Sequence, residues 1–179
     1  METETITTSQ TDLYRWKERF FSSRTDIFKA KEKVGFIKQH CFSQKVPASI
    51  FDERYVFRSK GFFQKNIEIW KVSNKQKVGE IRFHSWSPKS DIMLSDGKKR
   101  YHWKYSNMWN TKWEVTHQNQ RILYSKTRFS KGKMRARGTN EQQGLDPILL
   151  LSAMYVYSYF RQQLYVIAIF IPIILAATG

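Results

Sequence analysis

At 179 residues the chain has room for one domain with its own core. Aromatic residues at 16% and charged residues at 26% exclude a disordered basic arm, and a formal net charge of +16 points to polyanionic partners, nucleic acid or anionic lipid, without choosing between them. The single Cys41 excludes an internal disulfide, and the polar, acidic residues 1–10 offer no secretory leader, so the body is expected on the side of the membrane where it is made.

In chain order, residues 1–25 read as a lead that is disordered or an amphipathic helix. Leu13, Trp16 and Phe20 fall at i, i+3 and i+7 with Arg15, Lys17 and Arg19 between them. That pattern suits a basic helix lying on a membrane, or a helix or strand packed on the body.

From residue 26 to 137 the periodicity shifts to two, broken by turn chemistry every 8 to 12 residues, as in an all-β sandwich or barrel. Strands are predicted over 54–59, 66–72, 78–86, 91–94, 99–106, 111–117, 121–129 and 131–137. Asp96-Gly97 is the sharpest turn signal, because glycine supplies positive φ without strain. Tyr101, Trp103 and Tyr105 alternate with Arg100, His102 and Lys104, and Trp113 and Val115 with Lys112, Glu114 and Thr116. In 131–137, Lys131, Lys133, Arg135 and Arg137 share one face and Gly132, Met134 and Ala136 the other, so this strand is expected to line something close and narrow.

The last stretch, 145–179, carries only Asp146 and Arg161 as charges, so the whole excess of positive charge lies before it. Asp146-Pro147 is a good helix opening, with a capping carboxylate and a proline where no hydrogen bond is lost. Residues 148–160, ILLLSAMYVYSYF, are apolar all round and need enclosure on every side. As a helix they span about 20 Å, too short for about 30 Å of hydrocarbon, so burial within the body is expected.

Arg161-Gln162-Gln163 interrupts, and 164–177, LYVIAIFIPIILAA, follows without a charge. Two segments are therefore predicted: a central helix over 147–163, and a C-terminal membrane anchor in 164–179, kinked at Pro172. The anchor residues are Leu164, Tyr165, Val166, Ile167, Ile169, Phe170, Ile171, Ile173, Ile174 and Leu175. A barrel cap or an oligomer contact is the competing role for this run.

Catalytic patterns are missing: there is no P-loop, GxGxxG or GxSxG. His84, His102 and His117 stand on separate predicted strands, where ordinary strand histidines are the simpler reading than a metal site. No enzyme, cofactor or metal is expected. The positive signal is Lys98, Lys99, Arg100, Lys126, Arg128, Lys131, Lys133, Arg135 and Arg137, a candidate surface for lipid phosphates or another polyanion, with Trp109 as an interfacial aromatic.

The succession FRSKGFF (57–63), NIEIWKVSNKQKVGEIRF (66–83), WNTKWEV (109–115), FSKGKMRARG (129–138) and LDPILLLSAMYVYSYF (145–160) resembles the tubby C-terminal-domain-like superfamily, which includes tubby, LURP-one-related and phospholipid scramblase proteins. The resemblance covers residues 34–163 and is architectural, with no diagnostic motif. It implies a closed antiparallel β-barrel of about twelve strands, threaded by the hydrophobic C-terminal helix, and a lipid-binding role. Neither the tubby head-group site nor the scramblase calcium segment has a counterpart in this sequence. The expected function is a non-enzymatic membrane protein with its body on the cytoplasmic side, binding anionic phospholipid head groups. The alternatives are a nucleic-acid-binding module, a structural or oligomerising membrane protein, and a scramblase-like protein.

Overall fold

The computed structural model describes residues 12–19, 23–40, 43–60, 66–85, 87–94, 98–118, 120–128, 131–137 and 146–178; the side chains at 12, 13, 60, 120, 127, 128, 135–137 and 165–178 lie outside that description. The first strands are β1 (Asp12–Arg19), β2 (Arg24–Lys29), β3 (Glu32–Lys38), β4 (Lys45–Ile50), β5 (Glu53–Lys60) and β6 (Asn66–Lys71). They are followed by β7 (Gln76–Phe83), β8 (Lys89–Leu94), β9 (Lys99–Tyr105), β10 (Lys112–His117), β11 (Gln120–Arg128) and β12 (Lys131–Arg137), and then by one helix, α1 (Pro147–Thr178). Each strand pairs antiparallel with its chain neighbour, and β1 closes the ring against β12. The fold is thus mainly β, a closed twelve-stranded antiparallel barrel around a C-terminal helix, and closure leaves no open sheet edge.

Alternation decides what fills the barrel. Trp16, Ile27, Ile37, Phe57, Ile69, Ile81, Ile92, Trp103, Trp113, Tyr124 and Met134 point inward and are buried. Inside them, Leu149 to Tyr157 of α1 are buried on all sides, which is why this helix has no polar stripe. Aromatic rings join wall to helix: Trp113 stacks on Tyr157 at 4.0 Å, Phe83 on Tyr159 at 4.0 Å and Phe57 on Tyr155 at 4.8 Å. Each large side chain fully buried this way stabilises by about 1.5–3 kcal/mol. The helix opens as its sequence predicts, with Asp146 Oδ1 accepting the Ile148 amide at 2.9 Å and Pro147 as its first residue.

Two expectations change. Residues 12–19 of the expected lead form neither a helix nor a disordered segment: of the readings offered, the strand packed on the body holds, and this is β1, which contributes Tyr14 and Trp16 to the core and joins β12 to β2. β2 likewise begins at Arg24, so the barrel starts well before residue 26. The second change is in α1, which runs through Arg161–Gln163 and Pro172 as one helix of 32 residues, about 48 Å long. Arg161 does not break it, because Glu18 of β1 meets its guanidinium at the mouth of the barrel.

The narrow neighbour expected beside β12 is also specific. A Cβ at Gly132 would fall inside the Trp16 indole, so glycine is what lets β12 close on β1. The Asp96-Gly97 turn lies outside the described residues.

Candidate anion-binding surface

α1 distinguishes the two rims of the barrel. At the start rim lie Asp146 and the first residues of β5 and β9. At the exit rim Arg161 pairs with Glu18, Gln162 Nε2 donates to the Gln39 carbonyl at 3.0 Å, and Phe160 packs on Trp103 and Tyr105. Because the strands alternate in direction, β1, β3, β5, β7, β9 and β11 end at the exit rim and β2, β4, β6, β8, β10 and β12 begin there. The β9–β10 connection there presents Met108 and Trp109, 96% and 85% exposed, and α1 leaves the same rim with Leu164 49% exposed.

Cations on the outer wall occur in two arrangements. In the first, two or three basic groups surround one buried carboxylate. Asp26 accepts from Arg19 at 2.7 Å, Arg24 at 2.8 Å and Lys33 at 2.8 Å. Burial opposes its ionisation, but the hydrogen bonds from Lys33, Arg19 and Arg24 outweigh that and hold its carboxyl below the usual range. Asp91 is held by Arg100 at 2.7 Å, His84 Nε2 at 3.2 Å and His102 Nδ1 at 2.6 Å. Its carboxyl is also lowered, burial again being overcome by Arg100, His84 and His102. Glu114 is buried between Lys104, at 3.1 Å, and Arg121.

The second arrangement is the seam where the barrel closes. Outward residues of β1 and β12 face each other as Arg15↔Lys133 and Lys17↔Lys131, cation opposite cation. Directly opposed side chains have Cβ atoms about 4.5–5.5 Å apart, a spacing at which like charges repel. Arg15, Lys17 and Lys131 are exposed. On its other side Lys17 faces Asp26, whose oxygens are already held by Arg19, Arg24 and Lys33. Neither Arg15 nor Lys17 has an ion pair among the described residues. Lys89↔Lys104 on β8 and β9 is a similar pair near the exit rim. Four cations on two adjacent rungs, about 7 Å apart along the strand, suit an anion with phosphate-like oxygens.

The predicted cations therefore do not form one patch. Lys131 and Lys133 stand in the seam, with Arg15 and Lys17, which sequence reasoning had assigned to the lead. Lys98, Lys99 and Arg100 are exposed at the start rim, three strands away, and Arg100 is bound to Asp91. Lys126 is a correction. It pairs in register with Gly132 on the inward parity, and burial lowers its pKa despite the opposing effect of Glu18. It belongs to the lining of the exit mouth and not to the outer surface. The side chains of Arg128, Arg135 and Arg137 lie outside the described residues, as do those of the expected anchor from Tyr165 to Leu175.

His117 Nδ1 lies 2.7 Å from the Arg100 carbonyl and its ring against Tyr101, so the three histidines do not converge. Among the described residues no group of His, Cys, Asp and Glu could hold a metal, and no helix is long and apolar enough to cross a membrane. No protein-family model matches this chain, and neither the curated proteins nor the solved structures compared with it contain a match.

Proposed function

We propose that this barrel is a non-enzymatic, membrane-associated protein that binds anionic phospholipid head groups through its outer cations, with the body on the cytoplasmic side. The observation that carries the reading is the composition of the exit rim. Trp109, Met108 and Leu164 are all exposed where α1 leaves the barrel, and the Lys17–Lys131 pair lies in the half of the wall next to it. Tryptophan favours the head-group level, and lysine and arginine near an anionic surface contribute about 1 kcal/mol each. The uncharged sequence 164–177 continues from the same rim and would enter the lipid there. We include membership of the tubby-like superfamily in this proposal: a closed twelve-stranded barrel around a C-terminal helix is the architecture that the resemblance implied.

Binding to nucleic acid fits less well, because stacking of successive bases along the wall needs open aromatic faces there. The outward rings of Phe36 and Trp70 are covered by Arg24 at 4.0 Å and Arg58 at 5.1 Å.

Vesicle flotation of the full chain and of a chain ending at Gln163 tests the reading. The full chain is expected to float with both vesicle types and to resist carbonate extraction. The shorter one is expected to float only with vesicles containing phosphatidylserine. Equal flotation of the shorter chain with neutral and anionic vesicles would defeat the head-group part, and carbonate release of the full chain would defeat the anchor.

A further inference from the structure

We infer that the Asp91 cluster makes membrane attachment acid-responsive, strengthening it as pH falls; this rests on the lipid-binding reading above. Asp91 sits on β8 with its carboxylate buried under three donors: Arg100 and His102 from β9, and His84 from the connection that follows β7. The histidine side chains are 48% and 60% exposed, so each imidazole takes one nitrogen to Asp91 and keeps its other edge toward water. With both imidazoles neutral, the Asp91 and Arg100 charges cancel and the cluster adds nothing to the surface field. With both protonated it carries two net positive charges, each imidazole already in hydrogen-bond contact with Asp91.

The surroundings reinforce the effect of that charge on a membrane. Facing the cluster on the outer wall are Arg82 and Glu80 of β7, Lys89 and Met93 of β8, Lys104 of β9, and Glu114 and Thr116 of β10. Glu80 is held by Lys77 at 2.9 Å and Arg82 at 2.8 Å, and Glu114 by Lys104 and Arg121, so neither acid is left to neutralise a new imidazolium. Asp91 is the third residue of β8 from the exit rim, and His84 lies in a connection on that rim, beside the Lys89–Lys104 pair. The two charges therefore appear on the part of the wall that borders the lipid-facing end, within about a Debye length, ~10 Å, of it.

The test is titration of the full chain onto phosphatidylcholine vesicles carrying a minority of phosphatidylserine, at about pH 8 and about pH 5, the range in which histidine changes charge. The wild type is expected to bind roughly five- to thirtyfold more tightly at the lower pH, about fivefold for each cation brought to an anionic surface. The His84→Gln/His102→Gln variant is expected to match the wild type at the higher pH and to lose most of the rise; His117→Gln is expected to keep it. The variant Asp91→Asn, which leaves Arg100 unbalanced, is expected to bind more tightly than wild type already at the higher pH. Anionic preference at both pH values with an undiminished rise in the double histidine variant, or with no rise in the wild type, overturns the inference and leaves the lipid reading standing. A wild type that does not prefer anionic over neutral vesicles at either pH overturns both.

Discussion

The outer wall uses the same residue types in two ways: around β8 to β10 and at β2, cations are gathered over buried acids, whereas at the β12–β1 seam cations face cations. The first arrangement explains itself through stability. Each carboxylate oxygen has at least one basic partner and each neighbouring cation has an acid. At the seam, Arg15 and Lys17 have no ion pair among the described residues. Directly opposed like charges cost stability, roughly 0.2–1 kcal/mol per pair. Proteins keep costly local arrangements where function needs them. The net charge alone says little about where an anion binds; what sets the seam apart is that Arg15 and Lys17 stand exposed opposite other cations.

The largest expected effect separates the two arrangements by stability. Asp26→Ala removes the common partner of Arg19, Arg24 and Lys33 and should cost about 2–3 kcal/mol, whereas Arg15→Ala should stay within about 0.5 kcal/mol. Denaturant unfolding of both variants checks this, and similar losses would erase the distinction. Acid sharpens the same contrast. The folded-state pKa values of Asp26 and Asp91 are lowered, so their contribution is complete above the unfolded carboxylate value, about 3.9, and is lost as pH falls through the folded values. Thermal unfolding should show stability falling below about pH 4, and Asp26→Asn should flatten part of that fall.

A smaller effect concerns Lys126. Turned into the exit mouth, it takes no part in the outer surface, so Lys126→Met should leave binding to anionic vesicles within about twofold of wild type, well below the roughly fivefold expected for loss of a surface cation. A fivefold loss would return it to the binding face.

Much of the barrel was legible because period-two alternation follows directly from the geometry of a strand. Apart from the inward Lys126 at the exit end of β11, the pattern of β5 to β12 is mainly inward apolar and outward polar, and the helix that must be enclosed was visible as an unbroken apolar run. The first four strands hid for identifiable reasons. β1 turns Glu18 inward to meet Arg161, 143 residues away, so its alternation ends in a charge. β2 buries its outward Asp26 beneath cations, β3 carries a glycine at an irregular pairing, and β4 contains Pro47, which argues against a strand. The candidate surface was half legible. The cationic face of β12 was plain, but its partners Arg15 and Lys17 come from β1, and only ring closure brings them together. The Asp91 cluster draws on three separate elements, so no local motif marks it. The Arg161–Gln163 interruption was real but marked where the helix leaves the barrel, not where it ends.

On the proposed reading, anionic lipid is met by the cations bordering the exit rim, those of the seam among them, and not by net charge. Binding of the full chain to phosphatidylserine-containing vesicles, compared between Arg15→Glu/Lys17→Glu and Lys98→Glu/Lys99→Glu, tests it at equal change in total charge. The account predicts that the seam variant loses roughly thirtyfold or more, at about fivefold per unit charge, while the start-rim variant loses less than about fivefold. Equal losses in the two variants would contradict it.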